Sequence, residues 1–329
     1  MIQLNPTPEE LESTVVPKSP WFDQLVERMG FEAVRERLSR EEILRVRMAP
    51  DFLHPDGMAD RRLPVRGLDL IIKSSLLANR ARRNFEDIRI LERKWSIPGL
   101  SPEMDGYRLL QASDFHLDFD PGLVSRLEKV LRGLEYDVAC LTGDFFDLVF
   151  EEESMDVPLL EELIALFPKP KFAVLGNHDI VTVARELEKC GVRVLMNESE
   201  LIGTPESGFW LAGVDDPRQF RAHSFERALM GREEPGPVVM LAHSPEVYED
   251  AADWDVSLMM SGHTHGGQIC LPWGLPISNH FKCPRAMISG AWEHRGVQGY
   301  TANGCGGCKL PYRLNAPAEI TVHTLRCGR

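Results

Sequence analysis

Five short apolar runs, each followed at once by Asp, Asn or His, constrain this chain more than any other feature. Tyr107–Ala112 leads to Asp114, and Val138–Thr142 to Asp144. Phe172–Leu175 leads to Asn177, Val238–Ala242 to His243, and Ser257–Met260 to His263. Runs of this length and composition read as buried strands. The stretches 122–133, 157–167 and 181–190 between them read as helices. The alternation predicts an α/β fold. Ligands in such folds gather beyond the carboxyl ends of strands, so the five polar clusters are expected to form one site.

The clusters are Asp114-Phe115-His116, Gly143-Asp144-Phe145-Phe146-Asp147, Gly176-Asn177-His178-Asp179, Ala242-His243-Ser244, and Gly262-His263-Thr264-His265-Gly266-Gly267-Gln268. Carboxylate, amide and imidazole donors together suit hard or borderline divalent cations: manganese first, with iron or zinc as alternatives. A phosphate ester shields its phosphorus with anionic oxygens. Two cations about 3.5–4 Å apart neutralise those oxygens and hold a bridging hydroxide in line for attack. In Asp114-x-His116 and His263-x-His265, strand alternation points residues i and i+2 the same way. Gly143 and Gly176 are expected to let Asp144 and Asn177 approach the metals. Glycines 262, 266 and 267 are expected to leave room for a phosphate. One Asp-x-His alone is common by chance; five clusters in this order and context are not.

From about Tyr107 to Leu325 the sequence resembles the calcineurin-like metallophosphoesterase superfamily, whose signature is these five motifs. The resemblance implies an α/β/β/α sandwich of two mixed sheets packed face to face with helices outside. It implies that Asp114, His116 and His265 hold one metal, that Asn177, His243 and His263 hold the other, and that Asp144 bridges them. His178 is implied as general acid or charge stabiliser toward the leaving oxygen. Asp179 and Asp147 are implied as outer residues that orient the histidines. No motif residue departs from the pattern, which argues against a non-catalytic, metal-stabilised binding module.

Gly262–Gln268 with Ile269-Cys270-Leu271-Pro272, Gly299-Tyr300, and the tail Leu310–Asn315 with Ala318-Glu319-Ile320 resemble a bacterial branch of that superfamily. The branch includes membrane-associated phosphodiesterases and the chlamydial-type UDP-2,3-diacylglucosamine hydrolase, which releases lipid X and UMP in lipid A synthesis. Two substrate readings stay open: a lipid-linked pyrophosphate or diester, and a water-soluble diester. Arg285 and Arg313 are candidates to pair with a diphosphate. Gly304-Cys305-Gly306-Gly307-Cys308, with Cys283 and Cys327, raises a structural zinc site, although two small residues in a turn are the default.

The division expected is a helical extension over 1–106 and a catalytic domain over 107–329. In the extension, residues 20–48 read as helix. Trp21, Phe22, Leu25, Val26 and Met29 form its apolar face, and a Ser39/Glu42 capping box opens a second helix. Residues 67–93 run from Leu68, Leu70, Ile71, Ile72, Leu76 and Leu77 into Arg80, Arg82, Arg83, Arg89 and Arg93. They are either a helix pair packed on the main domain with a solvated basic face, or a monotopic dock for an anionic membrane over 67–94.

Net charge is −13. Residues 1–107 hold 17 Lys/Arg against 18 Asp/Glu, so the excess acid lies in the catalytic part and disfavours nucleic acid as partner. Seven scattered cysteines suggest a reducing compartment. Met1–Pro20 lacks the pattern of a secretory signal, and no apolar run reaches membrane-spanning length. The location expected is cytoplasmic, either free or peripheral on the inner membrane face.

Overall fold

The computed structural model describes residues 16–48, 67–147, 154–232, 235–277 and 281–328. Helix α1 (Pro20–Met29) starts at Ser19, whose side chain accepts the Phe22 N–H, and stops at Gly30 with φ +85°. Helix α2 (Phe31–Met48) follows directly. The break therefore falls at Gly30, because only glycine takes that φ without cost. Ser39 lies inside α2, where it is buried instead of capping a new helix.

Residues 67–74 form a helical stretch, and α3 (Ala78–Glu86) continues the pair. Ile72 and Ala81 pack into a buried cluster with Ile269, Leu310, Tyr312 and Leu314. The expected helix pair ends there. Strand β1 (Arg89–Ile97) runs parallel to the C-terminal strand, with Trp95 opposite Leu325. Arg89, Arg93 and Lys94 thus sit on an edge strand, a position where charge is a common guard against unwanted pairing. The segment called a helical extension contributes a strand to the catalytic sheet.

The strands that follow are β2 (Arg108–Ala112), β3 (Val138–Leu141), β4 (Lys171–Ala173), β5 (Arg193–Val194), β6 (Glu198–Ile202) and β7 (Phe209–Gly213). Then come β8 (Val238–Leu241), β9 (Leu258–Ser261), β10 (Cys270–Leu271), β11 (Leu275–Pro276), β12 (Gly290–His294), β13 (Val297–Thr301) and β14 (Glu319–Cys327). Among the described residues they form two six-stranded sheets, β1-β14-β2-β3-β4-β5 and β12-β13-β9-β8-β7-β6, and a β10–β11 hairpin. Both large sheets are mixed.

Alternation along each strand builds the layers. Leu109, Val138 and Cys140 of the first sheet meet Leu211, Val239, Leu241 and Leu258 of the second in one apolar cluster. Leu110, Ala139 and Leu141 face the other way, onto α1, α2, α4 (Leu123–Leu131), α5 (Val157–Ala165) and α6 (Val181–Lys189). Val238, Met240 and Met259 cover the outer face of the second sheet with α7 (Phe225–Leu229) and α8 (Tyr248–Asp253). The result is the four-layer α/β/β/α sandwich of two mixed sheets. Strands β2, β3 and β4 are mutually parallel, as are β7, β8 and β9, so their carboxyl ends open at common edges. No described helix is long and apolar enough to cross a membrane.

Candidate metal centre

All five clusters meet at those edges. Asp114, His116 and His265 bring ligand atoms within 4.8 Å of one another, and so do Asp144, His243 and His263. Asn177 adjoins the second group, with Oδ1 3.2 Å from His243 Nε2. Asp144 stands between the groups: its Oδ2 is 3.1 Å from His243 Nε2 and 3.7 Å from His116 Nε2. In the first group His116 Nε2 lies 3.2 Å from His265 Nε2, which is 3.5 Å from Asp114 Oδ1.

The backbone is wound unusually to achieve this. Asp114, His116, Asp144, His263 and His265 all have positive φ, between 45° and 68°. Such non-glycine geometry costs about 1–3 kcal/mol per residue and persists where the surroundings over-determine it. The paired residues of Asp114-x-His116 and His263-x-His265 therefore converge through left-handed turns past the strand ends, not through the strand alternation expected from spacing. Gly176 is indispensable: a Cβ there would lie 2.1 Å from Asp144 Oδ1. The space expected for a phosphate at glycines 262, 266 and 267 is occupied instead by Ser113 and Asp114, by Asn303, and by Pro276 with Cys270.

Hydrogen bonds fix the rings. His243 Nδ1 donates to the Thr142 carbonyl at 2.7 Å, leaving Nε2 to face Asp144 and Asn177. His178 Nδ1 donates to the Asp147 carbonyl at 2.8 Å, which turns its Nε2 outward from that contact. Asp147 Oδ1 is 3.5 Å from Nδ1 of both His116 and His178, as an orienting carboxylate would be. Asp179 acts differently from the expectation. Its carboxylate accepts the N–H groups of Asp144, Phe145 and Gly176, each at 2.8 Å, so it shapes the loop around Asp144 and not a histidine.

The electrostatics are those of carboxylates and imidazoles buried together. Burial pushes the Asp114 carboxyl up to about 6. Burial would raise Asp144 too, but His243, His178 and His116 hold it well below the usual carboxylate range. Burial opposes a charge on His243, yet Asp144 raises it to about 10. Burial lowers His116 to about 3 and holds His263 and His265 well below the ordinary range. His178 is raised: Asp144 and Asp147 outweigh its burial. His263 Nε2 is buried without a hydrogen-bond partner, and His263 shares a ligand group with Asp144. An orphaned buried nitrogen beside an ionised carboxylate is costly in itself and fits a site built for cations.

Several other residues matter that the sequence did not single out. Arg37 of α2 is fully buried and donates to the Asp179 carbonyl. Asp215 and Asp216, buried just past β7, repeat the pattern of acid after an apolar run, which is the signal that reveals them. Arg313, expected to meet a diphosphate, is wholly buried. It donates to the carbonyls of His265, Asn303, Gly306 and Ala316, tying together the loops behind Asp114 and His265. Arg285 is exposed and donates to the Trp273 carbonyl. Among the described residues no candidate metal group contains a cysteine. Cys305 donates to the Glu319 carbonyl, Cys308 to Gln268 and Cys327 to the Ser101 carbonyl, and burial pushes the Cys305 and Cys308 thiols up to about 12.

The family profile described as Calcineurin-like phosphoesterase matches residues 107–267. The uncharacterized metallophosphoesterase YkuE of Bacillus subtilis is 30% identical over 233 residues, spanning 68% of this chain and 80% of YkuE. The chain belongs to the calcineurin-like metallophosphoesterase family. YkoQ of the same organism, another uncharacterized metallophosphoesterase, is 27% identical across 75% of this chain and 93% of its own length. Phosphodiesterase YaeI of Escherichia coli is 27% identical across 66% of this chain and 81% of its own. Membership makes this metallophosphoesterase a phosphoester hydrolase dependent on divalent metals.

Proposed function

We propose that the chain is a dinuclear hydrolase of a lipid-linked pyrophosphate or diester, with UDP-2,3-diacylglucosamine cleaved to lipid X and UMP as the specific reading. The observation that carries the dinuclear site is Asp144 standing between two buried ligand groups. Asp114, His116 and His265 would hold one ion. Asn177, His243 and His263 would hold the other, with Asp144 shared. When bound, divalent cations supply charge neutralisation at the phosphoryl oxygens and an activated water, and manganese is the ion proposed. The Asp147 carbonyl fixes the ring of His178, and Asp144 and Asp147 raise its pKa against its burial, which favours the protonated form a leaving oxygen needs. Asp179 holds the loop that presents Asp144.

The name of the relative YaeI supports a diester as substrate class. The lipid reading draws support from residues 67–94, which carry exposed Leu70, Ile71 and Leu76 beside exposed Arg80 and Arg83. They suit a location on the inner membrane face, with residues 107–329 carrying the site residues and Arg89–Ile97 completing their sheet.

The test is UMP release from UDP-2,3-diacylglucosamine in mixed micelles with manganese, with His178→Ala as control. Release that needs both metal and His178 supports the reading. Intact metal-dependent cleavage of an aryl phosphodiester without UMP release discards the lipid substrate and leaves a water-soluble diester.

A further inference from the structure

We infer that the β10–β11 turn and the helical stretch 67–74 with the turn 75–77 that follows it together form one docking face for an anionic lipid bilayer. The inference rests on the lipid-linked reading above only for its purpose. Its observations lie outside the metal centre.

Trp273 at the tip of the hairpin is 93% exposed, and its φ is +65°. A bulky aromatic in the left-handed region, held out to solvent, has neither burial nor backbone preference to recommend it. Its carbonyl is held by Arg285. Leu271 and Leu275 flank it, both exposed. On the neighbouring helical stretch Leu70 and Ile71 are exposed as well, and in the turn after it Leu76 is exposed completely.

These two prongs border one piece of surface. Ile72 and Ile269 share a buried cluster, and β10 begins at the next residue. Arg80 Nη2 donates to Asn315 Oδ1 at 2.7 Å, and Asn315 Nδ2 donates to the Cys270 carbonyl at 2.8 Å. Helix α3, which follows the 67–77 prong directly, is thus hydrogen-bonded through Asn315 to the strand that leads into the other. The hairpin also packs on the metal loop: a Cβ on Gly267 would meet Pro276 at 2.8 Å. A surface seated on Trp273 therefore lies beside the turn that carries His263 and His265.

Charge selects the occupant. The chain is strongly acidic, at −13, yet residues 67–83 hold four Lys/Arg against one Asp. Arg80 and Arg83 are exposed beside the apolar side chains, while Lys73 is paired with Asp69 at 2.7 Å. An anionic surface repels most of this molecule and attracts this face, so it both recruits and orients it. Trp suits the headgroup level, and aliphatic side chains beside cations are the composition of an interfacial contact.

The test is co-sedimentation of the full chain with phosphatidylcholine vesicles, with and without phosphatidylglycerol. The variants are Trp273→Asn, because asparagine tolerates positive φ, and Leu76→Ser. The expected result is binding that needs phosphatidylglycerol, falls with salt, and weakens about ten-fold in each variant. Quenching of tryptophan fluorescence by acyl-brominated lipid should fall in Trp273→Phe. Both docking variants should keep metal-dependent hydrolysis of a soluble diester, since neither side chain belongs to the site. Binding unchanged in both variants overturns the inference. So does absence of vesicle binding together with self-association in light scattering that Trp273→Asn abolishes, which makes the face a contact between copies. Vesicle binding by a protein that cleaves no phosphodiester upholds the face and removes the functional reading instead.

Discussion

The guanidinium of Arg37 donates through Nη2 to the main-chain carbonyl of Asp179 at 2.7 Å. Nε reaches Asp215 Oδ2 at 3.1 Å, Nη1 reaches Glu41 Oε1 at 2.9 Å, and the group lies 3.4 Å from the centre of the Phe220 ring. A residue far from the family motifs thus holds the very residue whose carboxylate gathers the loop around Asp144. Replacing Arg37 with Met strands Asp215 as a buried unpaired charge. The expected loss is about 3–5 kcal/mol of stability, read by urea denaturation. Weakened metal affinity should remain when the variant is assayed well below its melting temperature.

Glu41 gives a pH signature. Burial raises its carboxyl from 4.5 to about 7, against the lowering effects of Arg37 and of the Val181 N–H. The folded state then binds a proton between those values that the unfolded chain has lost, so stability falls as pH rises from about 4.5 to about 7. Glu41→Gln removes that dependence. Relative to wild type it should gain about 1–3 kcal/mol across the window, measured by urea melts at several pH values. A difference that stays constant with pH would contradict the assignment.

His178 lies outside both ligand groups and keeps a raised pKa beside Asp144 and Asp147. His178→Ala should therefore leave the metal content unchanged and lower kcat by about 10²–10⁴. A variant that loses metal in proportion to activity would make His178 a ligand.

Gly176→Ala introduces a Cβ that would sit 2.1 Å from Asp144 Oδ1. The chain should still fold, by circular dichroism, but bind metal poorly and lose most turnover. Normal activity in this variant would mean that Asp144 is not held where the structure puts it.

The strand ends and their polar clusters were legible because burial, strand length and ligand chemistry all repeat in local sequence. Long-range relations were not. Nothing within Arg89–Ile97 announces a strand, since its pairing partner lies at Glu319–Cys327 and its edge position tolerates Arg93 and Lys94. Arg313 reads as a candidate for a diphosphate because a buried arginine differs only by the carbonyls that surround it. The break in the first helical run followed Gly30 and not Ser39, since backbone conformation outweighed a side-chain cap. The left-handed turns at Asp114, His116, His263 and His265 have no signature in residue spacing.

Metal content of the wild type and of Asp144→Asn, measured alongside hydrolysis of an aryl phosphodiester, tests the dinuclear site most directly. Asp144 stands between the two groups. The wild type should hold two divalent ions per chain, and the variant should lose tight binding at both positions together with most of its turnover. One ion per chain in the wild type, or two ions with undiminished turnover in Asp144→Asn, would contradict it.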